Sequence, residues 1–191
     1  MKTAVFPGSF DPITSGHEAI VRRALLLFDK IYIAVGVNSE KHYMFGLEDR
    51  VQKIRQMFAD TNAVEVVTYS DMTVDLCRRM NARFILRGIR NAEDLAYEQT
   101  IAAVNQTLAP EIETVILLAD MEHRDISSTI ERERLSERLL IRGDKTLEDE
   151  RIVRALGDGR RIVHLILRRE GNRRRRRAVP PAYPHRRPDA T

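Results

Sequence analysis

The 191-residue chain has no tryptophan and a single cysteine, Cys77. One thiol excludes an internal disulfide framework and any cysteine-based zinc cluster. Its place in a helical pattern marks it as a small core residue. Aromatic residues amount to only 6%, and Tyr183 is the last of them and the only one after residue 130. Nothing approaches the run of about 18 consecutive apolar residues that a membrane helix needs. The chain passes from Met1-Lys2 straight into an apolar stretch with no signal-peptide pattern, so the expected location is the cytoplasm. What is present is 43% apolar residues, enough at this length for one domain with a sizeable core plus an appendage.

The formal charge of +4 hides a split. Residues 1–130 carry 14 positive and 18 negative side chains, whereas residues 131–191 carry 18 positive and 10 negative, with 17 of those 18 positives arginine. The composition therefore changes near residue 130. The expected organisation is a folded domain over residues 1–156 and a basic, disordered tail over residues 157–191.

Within the first part, strand and helix patterns alternate five times. Residues 2–6, 31–37, 64–68, 84–86 and 114–118 read as strands, the second nearly all apolar as a parallel strand buried on both faces should be. Helical spacing of apolar residues runs through 18–28, 47–59, 73–80 and 91–108, the last with Leu95, Ile101, Ala102, Val104 and Leu108 as its apolar face. Such alternation predicts an α/β fold, a doubly wound five-stranded parallel sheet. Ligands of such sheets bind beyond the carboxyl ends of the strands, where the strand order reverses.

The polar residues of interest all fall at that edge. After the first strand comes P-G-S-F-D-P-I-T-S-G-H, residues 7–17, with two breakers and then a helix start. Free backbone N–H groups and the positive end of the helix dipole make a helix start an anion site. Ser9, Thr14 and Ser15 add hydroxyl donors, Gly8 and Gly16 admit a phosphate close to the main chain, and His17 offers a ring nitrogen. By itself such a histidine is more often a capping or surface residue. Lys41 follows the second strand and Thr73 the third; alone they read as a surface lysine and a helix cap. R-G-I-R, residues 87–90, follows the fourth strand, and its two guanidinium groups suit two phosphates or a forked clamp on one. Glu98, on the long helix, would orient an arginine or hold a ribose or adenine. Ser127, Ser128 and Thr129, after the fifth strand, are helix caps and phosphate donors at once.

G-S-F-D-P-I-T-S-G-H at 8–17, K-H-Y-M-F at 41–45, R-G-I-R-N at 87–91, Tyr97-Glu98 and I-S-S-T at 126–129 occur in that order. Over residues 2–130 the chain resembles the bacterial phosphopantetheine adenylyltransferases of the nucleotidylyltransferase superfamily. The R-G-I-R-N stretch with its downstream Tyr-Glu is the specific part. Relatives that act on nicotinate mononucleotide typically carry a second histidine where this chain has Thr14. The resemblance implies a Rossmann-like fold and transfer of the adenylyl group of ATP to 4′-phosphopantetheine, giving dephospho-coenzyme A. It implies that His17 stabilises the transition state and that Ser9 and Phe10 touch both substrates. Lys41, Thr73 and Arg87 would hold the acceptor. Gly88, Ile89, Arg90, Glu98, His123, Arg124, Asp125, Ile126, Ser127, Ser128 and Thr129 would hold ATP. It further implies Mg²⁺ carried on the nucleotide and a homohexamer, with no membrane partner.

Past Thr129 the resemblance fades. Five consecutive arginines (173–177) precede a proline-rich end. A shifted reading frame, a solvated extension and a nucleic-acid-binding tail each account for such a sequence. Two rival functions therefore stand beside the main one: the same transfer to nicotinate mononucleotide or another phosphate acceptor, and non-enzymatic binding of nucleic acid through the tail. No aromatic interleaving supports sequence-specific recognition by that tail.

Overall fold

The computed structural model describes residues 1–123 and 125–142. The expected tail, residues 157–191, lies outside the described residues, as does Arg124.

The strands are β1 (Thr3–Gly8), β2 (Lys30–Gly36), β3 (Val64–Tyr69), β4 (Phe84–Ile89) and β5 (Glu113–Leu118). Between and after them run α1 (Ser15–Ala24), α2 (Leu47–Met57), α3 (Thr73–Arg79), α4 (Ala92–Leu108) and α5 (Ser128–Arg142), with a short 3₁₀ turn at Met121–His123. All four pairings are parallel, and the order across the sheet is β3-β2-β1-β4-β5. The chain starts in the middle, winds outward to β3, then crosses to β4. The switch point lies between β1 and β4, where a doubly wound sheet opens a crevice.

Successive side chains of a strand point to opposite faces, and β1 shows it. Ala4 and Phe6 join Ile20, Val21 and Ala24 of α1 and Val51 and Ile54 of α2 in one apolar cluster. Val5 joins Val74, Leu76 and Cys77 of α3 in the other, together with Ala109 and Ile112 beyond α4. Cys77 is fully buried, and burial pushes its thiol up to about 12, so it packs as an inert core residue.

Three sequence expectations shift. The fourth strand does not stop at Leu86: β5 continues to pair with it, Arg87 opposite Ile116 and Gly88 opposite Leu117, so Arg87 and Gly88 belong to β4 itself. The first helix starts earlier and ends earlier than its apolar spacing suggests. Phe28 reaches the core from the turn that follows, while Leu26 and Leu27 are exposed. The apolar residues of α4 are not buried, Leu95 and Ala102 being only half-buried. Tyr97, Ile101, Val104 and Leu108 are exposed, and the one buried residue of that helix is Glu98.

Candidate active site

Two cavities open at the carboxyl edge of the sheet, one on either side of the switch point. The first, of 340 Å³, lies over α1 and the start of α5 and is lined by Ser9, Phe10, His17, Arg87, Arg90 and Ser127 among others. The second, of 740 Å³, lies over the ends of β2 and β3 and is lined by Ser9, Lys41, Tyr43, Thr73, Arg87 and Tyr97 among others. Pro7, Gly8, Ser9 and Arg87 line both. One thin wall thus separates two sites.

That wall is shaped by local constraints. Phe10 takes a left-handed backbone (φ 46°) and turns its ring back under Gly8. A Cβ at Gly8 would come within 2.9 Å of that ring, so a side chain there would have to push the ring aside. Across the crevice, a Cβ at Gly88 would sit 3.1 Å from Ile20, and glycine is what lets α1 pack tightly on β4.

His17 stands at the third position of α1. Thr14 caps that helix, and His17 closes the capping box in place of the usual Glu or Gln. Its Nδ1 accepts the Thr14 backbone N–H at 3.1 Å and lies 2.8 Å from the Thr14 hydroxyl. A nitrogen that accepts carries no proton, so the proton is on Nε2. Burial, with the Arg90 and Arg87 cations adding to it, pushes the imidazole pKa down to about 4. At neutral pH His17 is therefore an uncharged Nε2–H donor on the lining of the first cavity. Phe10 packs edge-on against its ring at 5.2 Å between centroids.

The arginines are held by carboxylates from α4. Glu98, only 6% exposed, accepts from Arg87 Nε at 2.7 Å and Nη2 at 2.5 Å, while Arg87 Nη1 donates to the Pro7 carbonyl at 2.7 Å. The guanidinium is pinned in the wall with its plane fixed. Arg90 Nε and Nη2 donate to Asp94, at 2.8 and 3.0 Å, and this partner holds the Asp94 carboxyl below the usual carboxylate range. At the start of α5, Ser127 Oγ accepts the Ile130 N–H as a cap, and Ser128 Oγ donates to the Pro12 carbonyl.

The structure brings together most of the residues singled out in the sequence. Ser9, Phe10, His17, Gly88, Arg90, Glu98, His123, Ile126, Ser127, Ser128 and Thr129 line the first cavity; Lys41 and Thr73 line the second; Ser9 and Arg87 line both. Thr73 is the first residue of α3, and Met72 takes the cap position. Two residues stand apart. Ile89 is buried at 4% exposure outside either lining, and Asp125 is exposed outside both. The sequence reading missed Asp94, although its spacing of four from Arg90 on a helix was a usable signal. It also missed Asp11, whose two carboxylate oxygens accept the Met44 and Phe45 N–H groups at 2.8 Å and anchor the loop that carries Lys41. Arg50 was missed as well, and sequence spacing gives no signal for it.

Residues 5–134 match the model of the cytidylyltransferase-like family. Over 133 residues the chain is 50% identical to the phosphopantetheine adenylyltransferase of Flavobacterium psychrophilum, covering 70% of this chain and 87% of that one. The enzyme of the same name from Leptospira biflexa is 48% identical over 130 residues, with 68% and 81% covered. The chain belongs to the phosphopantetheine adenylyltransferases. The family match ends at residue 134, close to where the composition turns arginine-rich. Among solved structures, the fold is shared with a bifunctional NMN adenylyltransferase/ADP ribose pyrophosphatase from Francisella tularensis (TM-score 0.58, 15% identity, 85% of this chain and 54% of that one). It is shared also with a putative nicotinate-nucleotide adenylyltransferase from Vibrio parahaemolyticus (TM-score 0.53, 16% identity, 80% and 92%).

Proposed function

We propose that the two cavities are the two substrate sites of an adenylyl transfer from ATP to 4′-phosphopantetheine, which yields dephospho-coenzyme A and pyrophosphate. The observation that carries the reading is the shared wall. A transfer between two phosphates needs them side by side, and Ser9 and Arg87 are the polar side chains that reach both cavities. The first cavity takes ATP, with Arg90, His123 and the start of α5 around its phosphates. The second takes the acceptor, with Lys41, Thr73 and Arg87 around its phosphate and the length of the cavity for its arm.

An oxygen of the acceptor phosphate attacks the α-phosphorus of ATP in line, and the bond from that phosphorus to the bridging oxygen breaks. Pyrophosphate leaves with the bonding pair. The attacking phosphate is already an anion near neutral pH, so no general base is required. Catalysis is positioning and charge stabilisation. Arg87, fixed by Glu98, offsets the repulsion between the two anions. His17 donates Nε2–H to a nonbridging oxygen as charge builds at the α-phosphorus. Because the ring is already neutral, donation costs no proton release.

Mg²⁺ fits this site as a passenger of the nucleotide. The carboxylates lining the first cavity, Asp94 and Glu98, are both taken up by arginine, and among the described residues no cluster of three or more acidic, histidine or cysteine side chains could hold a metal. Carried with ATP, the ion would supply positive charge for the pyrophosphate, beside Arg90 and the start of α5. The exposed Tyr97, Ile101, Val104 and Leu108 of α4 support self-association, as a hexamer by resemblance to the family. Among the described residues no helix is long and apolar enough to cross a membrane.

Pyrophosphate release with ATP, Mg²⁺ and 4′-phosphopantetheine, run beside nicotinate mononucleotide, tests the assignment. Release with 4′-phosphopantetheine alone is expected. Release with nicotinate mononucleotide alone would keep the chemistry and overturn the acceptor.

A further inference from the structure

Arg50 belongs to α2, outside every motif that marks the site, yet it is 2% exposed. A buried guanidinium is costly unless a carboxylate accompanies it. Among the described residues Arg50 makes no ion pair. Its Nη1 donates instead to two main-chain carbonyls, Ser9 at 2.7 Å and Gly36 at 3.4 Å, while Nε is buried without any partner. The guanidinium carbon lies 4.0 Å from the centre of the Tyr43 ring, and Tyr43 itself donates to the Gly36 carbonyl. A cation with carbonyl and aromatic partners but no carboxylate is thus lodged directly behind the wall that the two cavities share.

The consequence follows from the peptide unit it touches. The carbonyl of Ser9 and the N–H of Phe10 are two ends of one resonance-coupled amide. A cation on the carbonyl oxygen draws electron density from the nitrogen and makes that N–H a stronger donor. Neither the Ser9 nor the Phe10 N–H donates to a protein acceptor among the described residues. Phe10 has the left-handed backbone that lets successive N–H groups converge on an anion. We propose that Arg50 is a positioning residue of the transfer reaction, fixing and polarising the Ser9–Phe10 amide from behind so that its N–H meets the charge that develops between the two substrates.

This inference rests on the adenylyl-transfer reading, and it makes two measurable statements. Arg50→Gln, which retains a donor without the charge, is expected to lower kcat at least tenfold with both KM values changed less than threefold. Arg50→Lys, which restores the charge, is expected to recover turnover to within about threefold of the parent. Independently of any acceptor, the Phe10 amide proton is expected to move downfield on addition of ATP in the parent and in Arg50→Lys, and by less than half as much in Arg50→Gln. Equal Phe10 shifts in all three proteins would overturn the proposal, as would equal turnover in all three. A kcat loss of the same size in both variants, tracking a lower Tm, would make Arg50 a purely structural residue. Should the parent release no pyrophosphate with 4′-phosphopantetheine, the reading of the substrate fails. The Phe10 shifts on ATP then still decide the role of Arg50.

Discussion

The Thr14 backbone N–H donates to His17 Nδ1, and that one bond decides what the other ring nitrogen does. Nδ1 closes the N-terminus of α1 and Nε2 is left as a donor for the cavity. A histidine at a helix start reads in sequence as either a cap or a catalytic group. Here one nitrogen of the ring caps the helix and the other is left to donate into the cavity.

His17→Ala is expected to lower kcat by about 10²–10³, the usual cost of removing one transition-state donor. ATP affinity, measured by calorimetry, should stay within a few fold. Near-parental turnover would remove His17 from the chemistry.

The lowered pKa of His17 has a sign that can be checked. Its folded value of about 4 lies below the ordinary 6.5, so between those two values the unfolded chain binds the proton and the folded one does not. Stability from this group is present above about pH 6.5, and declines as pH falls toward 4. Urea unfolding across that range should show the decline in the parent and a shallower one in His17→Asn. Imidazole ¹⁵N resonances of the ligand-free protein should report an Nε2-protonated ring that titrates near 4 rather than near 6.5.

The two cavities predict one-sided and two-sided variants. Lys41 lines only the acceptor cavity, so Lys41→Ala should raise KM for 4′-phosphopantetheine about tenfold and leave that for ATP unchanged. Arg90 lines only the other, and Arg90→Ala should do the reverse. Glu98→Gln frees Arg87 in the wall and should depress kcat/KM for both substrates. Steady-state kinetics with each substrate varied in turn separates the three patterns.

The apolar flank of α4 predicts a change of mass. Val104→Glu with Leu108→Glu places charge on two exposed apolar positions outside both cavity linings. Sedimentation should show a large assembly for the parent and smaller species for the double variant. The same mass in both would remove α4 from any subunit contact.

Much of this architecture was legible because β-strands of a buried parallel sheet are continuous apolar runs and the helices between them repeat at 3.6 residues. Ser9, His17, Arg87 and Ser127 could be found because each belongs to a short motif at or beyond the carboxyl end of a strand. The errors have physical causes. Arg87 looked like a loop residue since a charge in a central strand is unusual, and only Glu98, eleven positions away, makes it tolerable there. The apolar residues of α4 suggested a core face, but apolar spacing cannot distinguish a core from a surface awaiting another chain. Arg50 was invisible because the carbonyls it serves belong to Ser9, just past β1, and Gly36, at the end of β2, and main-chain partners leave no trace in side-chain identity.

The common wall also bears on what happens after the bond is made. With each substrate in its proposed cavity, dephospho-coenzyme A would fill both through a single covalent link. Its two halves bind as a tethered pair, each raising the effective concentration of the other, and its affinity should exceed that of either substrate. Product departure then requires both grips to loosen together. An enzyme that brings two anions together so closely would inherit a sluggish exit, and added dephospho-coenzyme A should compete against ATP and against the acceptor alike.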